Sequence, residues 1–177
     1  MEYIHHCISP LGGITLASDG EALTGLWFDG QKYFGAGLGP CPEERPLPVF
    51  DETERWLDIY FSGREPAHFP LLRPRGTPFR QTVWTLLMEI PYGSTVTYGE
   101  LAARTAAQLG LPRMSAQAVG GAVGHNPLSL IIPCHRVVGA DGSLTGYAGG
   151  TDKKARLLAL EDADLSGLFP SGKREMP

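Results

Sequence analysis

The stretch "HNPLSLIIPCHRVVGADGSLTGYAGG", residues 125–150, decides how the second half of the chain is interpreted. Its aliphatic run, residues 128–132, predicts a buried strand. The run leads directly into Pro-Cys-His-Arg at residues 133–136. Pro133 disfavours a helical conformation for Ile132 and can begin a turn. The stretch therefore predicts a core segment that ends by presenting a thiol, an imidazole and a guanidinium.

Cys134 is the candidate nucleophile of this stretch, because a thiolate is reactive and a nearby His or Arg can lower the pKa of a thiol. Adjacent side chains of an extended strand point to opposite faces. Cys134 and His135 can therefore act together only if the strand ends at Pro133 and the chain tightens there. The alternative is a buried structural cysteine followed by a surface His-Arg pair.

The composition sets broad limits on the protein. Its 177 residues, 42% of them hydrophobic, suffice for one generous domain or two small ones. No run approaches the ~20 apolar residues of a membrane span, and "MEYIHHCISP", residues 1–10, does not have the pattern of a secretory signal. Three cysteines at irregular spacing argue against a disulfide scaffold. We therefore expect a cytoplasmic protein that does not engage a membrane.

The charge is divided unevenly along the chain. The formal net charge is −4, which alone argues mildly against a nucleic-acid partner. Residues 1–70 contain 4 Lys/Arg and 11 Asp/Glu, whereas residues 71–177 contain 11 Lys/Arg and 8 Asp/Glu. Only the second part could face a polyanion, although ordinary surface variation would give the same asymmetry.

The first part of the chain predicts β structure followed by a helix. Strand patterns at residues 3–9, 13–18 and 22–28 are separated by the turn signals "PLGG" and "SDGE", which indicates an antiparallel meander. Helical spacing runs from Val49 to Phe61, and Gly63 lies where a C-terminal cap belongs. The fold class is therefore α+β, with a first domain at residues 1–70, a linker at 71–76 and a second domain at 77–177.

The second domain predicts several helices. Thr77 is a candidate N-cap with Pro78 at the first helical position. A helix at 98–110 is followed by a short break and a helix of small residues that Ser115 can cap, which resembles a helix-turn-helix. Gly120 and Gly121 each weaken that helix by roughly 1 kcal/mol relative to Ala. Close approach of another backbone, either protein or nucleic acid, would offset this cost.

The last helix is predicted to begin near Thr151, as the N-cap, with Asp152 in its first turn. Positions 154, 157, 158 and 161 share one face. Glu161 therefore lies on the leucine stripe, either at its edge or buried with a partner.

His5, His6, Cys7 and Cys41 include the residue types that bind zinc. The spacing of these residues matches no compact ligand pair, so no metal site is predicted.

The chain from about residue 77 to about 162 resembles the O6-alkylguanine-DNA alkyltransferases, also called methylated-DNA–protein-cysteine methyltransferases. The resemblance rests on "IPYGSTVTYGELA", "AVGGAVGHNP", "PCHRVVG" and "TGYAGGTDKKARLLALE", which occur in family order and at family-like spacing. It implies a ribonuclease H-like first domain and a winged helix-turn-helix second domain, with the helix-turn-helix near 98–125.

The resemblance also implies a reaction. The helix-turn-helix would bind the minor groove of double-stranded DNA, and an O6-alkylguanine would be flipped into a pocket. Cys134 would take the alkyl group by in-line displacement and would not be regenerated, so each molecule acts once. A monomer without a cofactor is expected, and acceptance of O4-methylthymine is left open.

Four catalytic roles follow from the resemblance. Cys134 corresponds to the alkyl acceptor, and His135 to the base that deprotonates the thiol through a water. Glu161 corresponds to the carboxylate that orients this histidine. Asn126 corresponds to the residue that ties the active-site loop to the helix-turn-helix.

Substrate and DNA contacts are implied in the same way. Tyr98 would contact the flipped guanine and help to rotate the phosphate, Tyr147 would line the pocket, and Lys154 would lie near the leaving guanine. The carbonyls of Cys134 and Val137 would accept from the guanine edge, and the N–H of Ala148 would donate to O6. The expected DNA contacts are Arg113, Ser115, Gln117, Ala118, Gly121 and Arg136.

Two positions depart from the family pattern. Gln117 stands where the family often has an arginine that fills the gap left by the flipped base, and Arg113 precedes it by four residues. We expect weaker or differently organised DNA binding, or partial substitution by Arg113. Ala148 replaces a serine found in some relatives, but only its backbone is needed.

Three alternatives remain open. The alkyltransferase-like proteins bind the same lesion without repair and lack the acceptor cysteine, so Cys134 argues against them. A winged-helix regulator would bind undamaged DNA and would have an inert thiol. A cysteine hydrolase would turn over repeatedly, but the sequence has no separate oxyanion or substrate motif for it.

Overall fold

The computed structural model describes residues 1–170, so the end of the predicted second domain, residues 171–177, lies outside the described residues. The chain divides into two units. The first comprises Met1–Gly76 together with Pro127–Ile131, and the second comprises Thr77–Asn126 and the chain from Ile132 onward. The architecture is α+β, as predicted. None of the helices in residues 1–170 has the length and apolar character needed to span a bilayer.

The first unit is a four-stranded sheet with one helix. The antiparallel strands β1 (Tyr3–Ser9), β2 (Gly12–Ser18) and β3 (Leu23–Phe28) lie where the turn signals predict them. The short β4 (Glu43–Glu44) pairs in parallel with β1, which gives the order β3-β2-β1-β4. Helix α1 (Pro48–Phe61) contacts this sheet through Phe50, whose ring stacks on His5 of β1 at 5.5 Å.

Two other segments border the outer edge of β3. Arg73 N–H donates to the Leu23 carbonyl at 2.8 Å, and Ser129 N–H donates to the Leu26 carbonyl at 3.0 Å. The segment 71–76, which the sequence predicts as a linker, thus belongs to the first unit and is in part hydrogen-bonded to its sheet.

The predicted strand at residues 128–132 is not present. Leu128 makes a single bridge to β3, after which the chain turns. Leu130 has a φ of 71°, and Ile131 N–H donates to the Ser129 carbonyl at 2.9 Å. The side chains are buried as expected. A buried segment is apolar whether its backbone is extended or turned. The apolar run therefore indicated burial correctly but could not distinguish a strand from a turn.

The second unit contains the remaining helices and a two-stranded parallel sheet. The helices are α2 (Pro78–Leu87), α3 (Tyr98–Leu109), α4 (Ala116–Gly124) and α5 (Thr151–Leu160), and the strands are β5 (Val96–Thr97) and β6 (Val137–Val138). The buried indole of Trp84 on α2 donates to the Ala122 carbonyl of α4 at 2.8 Å, which fastens these two helices together.

Side-chain caps explain where three of these helices begin. Thr77 caps α2, Thr97 forms a reciprocal capping box with Glu100 at α3, and Ser115 caps α4. The prediction for α5 was wrong by one residue: Gly150, with a φ of 95°, is its N-cap, and Thr151 is its first helical residue.

Candidate active site

Cys134 begins a single 3-10 turn, Cys134–Arg136, immediately after the aliphatic segment. Arg136 N–H donates to the Pro133 carbonyl at 3.0 Å, and Cys134 N–H donates to the Ile132 carbonyl at 2.8 Å. The chain therefore tightens at Pro133, as cooperation between Cys134 and His135 requires. Cys134 is 5% exposed and His135 is fully buried.

His135 is linked to a carboxylate at the end of α5. Its Nε2 lies 2.6 Å from Oε1 of Glu161, and neither side chain is exposed. An ionised carboxylate can only accept hydrogen bonds, so Nε2 is assigned as the donor. In the neutral ring the lone pair is then on Nδ1, and this nitrogen is the one that can accept a proton.

Glu161 receives three further hydrogen bonds. Arg136 donates through Nε to Oε2 at 2.9 Å and through Nη2 to Oε1 at 3.0 Å. Gly93 N–H donates to Oε2 at 3.1 Å. Burial raises the pKa of Glu161, but the hydrogen bonds from His135 and Arg136 outweigh it and hold that pKa well below its usual range. Glu161 is therefore buried, ionised and hydrogen-bonded. It does not lie at the solvent-facing edge of the leucine stripe.

The expectation that Arg136 binds DNA is corrected by its surroundings. The residue is 9% exposed, and its remaining terminal nitrogen, Nη1, donates to the Ile90 carbonyl at 2.8 Å. The guanidinium carbon lies 5.6 Å from the centre of the Tyr92 ring. The guanidinium is thus held by Glu161 and Ile90 inside the second unit.

The resting state of the site is a protonated thiol beside a neutral imidazole. Burial raises the pKa of the Cys134 thiol, against a hydrogen bond from Asn126 and the positive charge of Lys154. Burial also lowers the pKa of His135, although Glu161 opposes the shift. Because thiolate is the reactive form, the arrangement needs a base at Cys134.

Lys154 and Tyr98 meet at one backbone carbonyl. The Lys154 Nζ and the Tyr98 hydroxyl both donate to the Thr145 carbonyl at 2.9 Å. Nζ also donates to the Val137 carbonyl, one of the groups expected to accept from guanine. Burial lowers the pKa of Lys154 to about 8, while Cys134 opposes the shift. Lys154 is therefore a buried cation that acts on Cys134 at neutral pH.

The remaining predicted site residues are Tyr147 and Ala148, in the loop before α5, and Asn126, which follows α4. Tyr147 is buried, and its hydroxyl has no hydrogen-bond partner among residues 1–170. Its ring makes an edge contact with His135 at 6.3 Å. Ala148 is half-buried in the same loop. Asn126 donates to the Ile132 carbonyl at 2.8 Å, and this contact joins the end of α4 to the segment before Cys134.

The other expected DNA-contacting residues are exposed, both just before α4 and along it. They are Arg113, Ser115, Gln117, Ala118 and Gly121. A methyl group built on Gly121 would meet no atom of residues 1–170 within 4 Å. Packing against the described protein therefore does not explain this glycine.

Two glycines that the sequence did not single out allow site residues to approach the backbone closely. Gly93 has a φ of 78°, and a Cβ there would lie 2.9 Å from the Glu161 carbonyl oxygen. Gly146 has a φ of 80°, and a Cβ there would lie 2.4 Å from the Tyr98 hydroxyl. The "PYG" turn was the available signal for Gly93. Within residues 1–170, no cluster of three or more His, Cys, Asp or Glu residues could hold a metal ion.

Fold and site together define an α+β protein whose second unit carries a buried cysteine beside a histidine–carboxylate pair. Residues 78–163 match the family model described as the DNA-binding domain of 6-O-methylguanine DNA methyltransferase. The methylated-DNA–protein-cysteine methyltransferase of Haemophilus influenzae is 42% identical over 163 residues, which cover 90% of this chain and 86% of that protein. The protein of the same name from Methanosarcina acetivorans is 45% identical over 154 residues, which cover 86% and 94%.

The crystal structure of Mycobacterium tuberculosis OGT in complex with DNA is also similar, with a TM-score of 0.76 and 40% sequence identity over 96% of both chains. The chain therefore belongs to the methylated-DNA–protein-cysteine methyltransferase family, as the sequence motifs predicted.

Proposed function

We propose that this chain repairs double-stranded DNA by direct reversal, taking the alkyl group of O6-alkylguanine onto Cys134 in one irreversible turnover. O4-methylthymine is a second candidate substrate. The observation that carries the proposal is the 2.6 Å link between His135 and Glu161 next to a buried thiol. The names of these relatives state the same donor and acceptor, methylated DNA and a protein cysteine.

The reaction proceeds by nucleophilic displacement. His135 accepts the proton of Cys134 through a water, and Glu161 stabilises the imidazolium that results. The Cys134 sulfur then forms a bond to the alkyl carbon as the bond from that carbon to O6 breaks. The electron pair stays on the guanine, which takes up a proton and is restored. The S-alkyl cysteine is a stable thioether, so the protein is consumed.

The guanine reaches this sulfur by base flipping. Tyr98, Tyr147 and Lys154 line the pocket for the extruded base, and the Ala148 N–H donates to O6. The Val137 carbonyl can accept from the guanine edge while it accepts from Lys154, because a carbonyl oxygen has two lone pairs. No cofactor takes part.

DNA is bound through α3 and α4, which act as the helix-turn-helix of a winged helix-turn-helix domain formed by residues 77–177. The exposed residues at the start of α4 support this arrangement, as does the open space beside Gly121. The first unit adopts a ribonuclease H-like fold. The protein acts in the cytoplasm as a monomer.

Intact-protein mass spectrometry tests the reaction directly. After incubation with duplex DNA containing O6-methylguanine, we expect a gain of one methylene mass per protein molecule, located on Cys134 by peptide mapping. An equal amount of guanine should appear in the DNA. An unmodified protein, or more than one lesion repaired per molecule, contradicts the proposal.

Substitution of the nucleophile separates transfer from recognition. Cys134→Ala and Cys134→Ser should abolish transfer while preserving preferential binding to the lesion duplex. A wild-type protein that binds the lesion without a mass gain would be an alkyltransferase-like protein. Equal affinity for lesion and undamaged duplexes, with an unreactive thiol, would indicate a winged-helix DNA-binding protein.

A further inference from the structure

Arg136 makes contacts that the reaction described above does not use. Its guanidinium binds both oxygens of Glu161, at 2.9 and 3.0 Å, and the Ile90 carbonyl at 2.8 Å. A planar guanidinium that holds both oxygens restricts rotation of the carboxylate about its terminal bond. Glu161 is thus clamped in one orientation, and Gly93 N–H holds it from another segment.

The clamped orientation matters because His135 shares an oxygen with Arg136. Oε1 of Glu161 lies 2.6 Å from His135 Nε2 and 3.0 Å from Arg136 Nη2. As long as the carboxylate is held in this way, Nε2 carries the ring proton and Nδ1 carries the lone pair. Arg136 also balances the charge of Glu161, so His135 faces a neutralised ion pair and not an isolated anion.

We propose that Arg136 is a positioning residue for alkyl transfer: by clamping and neutralising Glu161, it keeps His135 in the uncharged tautomer that can accept the Cys134 proton. This inference rests on the proposed function, since it assigns Arg136 a part in activating the thiol. Arg136 acts through Glu161 and contacts neither DNA nor the alkyl group.

The charges around His135 determine the direction of the effect. Burial lowers the pKa of the imidazole, Glu161 raises it, and Arg136 and Lys154 lower it. The charged and titratable groups that act on the ring or contact it are Arg136, Tyr147, Lys154 and Glu161. Removing Arg136 leaves the negative charge of Glu161 unbalanced, so the pKa of His135 rises. At a pH below that raised value, His135 is already protonated and cannot serve as the base.

Single-turnover transfer from a saturating O6-methylguanine duplex, measured from about pH 5 to about pH 9, tests this role in Arg136→Met and Arg136→Lys. We expect the acidic midpoint of the Arg136→Met profile to move upward by about one pH unit, which slows transfer about tenfold on the acidic limb. Arg136→Lys keeps the charge but loses the two-point contact, so its midpoint should stay near the wild-type value while its rate falls.

Arg156→Met is the matched control. Arg156 is an exposed arginine on α5 in the same unit and has no place in the site. Its substitution removes the same charge from the protein but should leave the midpoint unchanged. An equal shift in this variant would attribute the effect to overall charge and overturn the proposal.

Titration of the His135 ring nitrogens by NMR gives a second measurement that does not depend on transfer. The ring should titrate at higher pH in Arg136→Met than in the wild type, with Nε2 as the protonated nitrogen of the neutral wild-type ring. If Arg136→Met transfers the alkyl group more slowly but its acidic midpoint and its His135 titration are unchanged, Arg136 has only a structural role and the proposal is overturned. If Arg136→Met does not fold, the tautomer of His135 in Arg136→Lys decides. Loss of the Nε2–H tautomer supports the proposal, and retention of that tautomer overturns it. A wild-type protein without transfer defeats the proposed function, whereas the ring titration still tests Arg136.

Discussion

Glu161 is buried at the end of α5 because donors from distant segments of the chain meet its carboxylate. Those donors are Arg136 and Gly93, which stand 25 and 68 positions away along the chain. Their convergence is a property of the tertiary fold.

Glu161→Gln should weaken both the fold and the reaction. The folded-state pKa of Glu161 is depressed, so its contribution to stability is complete above the ordinary carboxyl pKa and is lost as the pH falls below it. The substitution leaves Arg136 buried without its anion, which should cost about 3–5 kcal/mol at neutral pH. Denaturant unfolding should show this loss, with a flatter decline towards acid than in the wild type.

The same variant has a kinetic consequence. His135 loses the anion that favours its protonated form, so it becomes a weaker base and the pKa of the Cys134 thiol should rise. Alkylation of Cys134 as a function of pH, followed by mass mapping of its peptide, should show a shift towards higher pH and slower transfer. An unchanged profile would mean that Glu161 has only a structural role.

Gly121→Ala should change stability and DNA affinity in opposite directions. Alanine is favoured in a helix by roughly 0.5–1 kcal/mol, and the new methyl group meets no described protein atom. Unfolding should therefore require more denaturant. Affinity for duplex DNA should fall about tenfold, or about 1.4 kcal/mol, if the groove occupies this space. Gly124→Ala, which is also unobstructed, should gain stability without that loss. Undiminished DNA affinity in Gly121→Ala would place the DNA elsewhere.

Among the elements, the loop before α5 depends on the segment that follows this helix. Leu144 N–H donates to the Phe169 carbonyl at 2.9 Å, and Phe169 N–H donates to the Gly142 carbonyl at 3.0 Å. Leu168 packs against the cluster that contains Leu144 and Leu158. The loop carrying Tyr147 is therefore held at its base by a strand-like contact from a later part of the chain.

Gly142→Ala should detach this loop. Gly142 has a φ of 89°, and a Cβ there would lie 1.9 Å from the Gly167 carbonyl oxygen. Backbone strain should cost about 1 kcal/mol, and the displaced segment roughly 1–3 kcal/mol more. Faster hydrogen exchange at the Leu144 amide would report the loosened contact. Gly150→Ala is the control for strain alone, because its φ is 95° but its Cβ position is open. Equal losses of stability in the two variants would mean that the contact between this loop and the segment after α5 adds nothing to stability.

Most helices and strands could be predicted because caps and turn residues act on backbone groups only a few positions away. Thr77 and Ser115 satisfy backbone donors within their own first turns, so the sequence alone places the starts of α2 and α4. The start of α3 was predicted without its cap, which the structure shows to be Thr97. The segment 128–132 failed for the converse reason: its conformation is set by hydrogen bonds to β3, and its apolar composition suits a turn as well as a strand. The motifs located Cys134, His135 and Glu161, but no motif indicated that Arg136 is buried.

At the scale of the whole molecule, the two units are not consecutive along the chain. The first unit includes Pro127–Ile131, which joins Asn126 to the residues that precede Cys134. This segment is tied to the sheet by backbone bonds to Leu26 and by the side chain of Gln31. The Gln31 Oε1 accepts from Phe28 N–H at 2.9 Å and from the Ser129 hydroxyl at 3.2 Å. The sheet thus fixes the conformation of Pro127–Ile131 within the first unit.

Gln31→Ala tests whether that attachment matters for the reaction. Two donors lose their acceptor, which should cost about 1–3 kcal/mol and speed hydrogen exchange at the Ser129 amide. Because the 127–131 segment is covalently continuous with the Cys134 turn, we expect slower alkyl transfer as well. Arg73→Ala is the comparison, since it removes the exposed pairing with Asp19 and Glu21 on the other segment along β3. That variant should transfer at the wild-type rate. If exchange at Ser129 accelerates in Gln31→Ala and transfer does not slow, the turn at Pro133 holds Cys134 in position without support from the sheet.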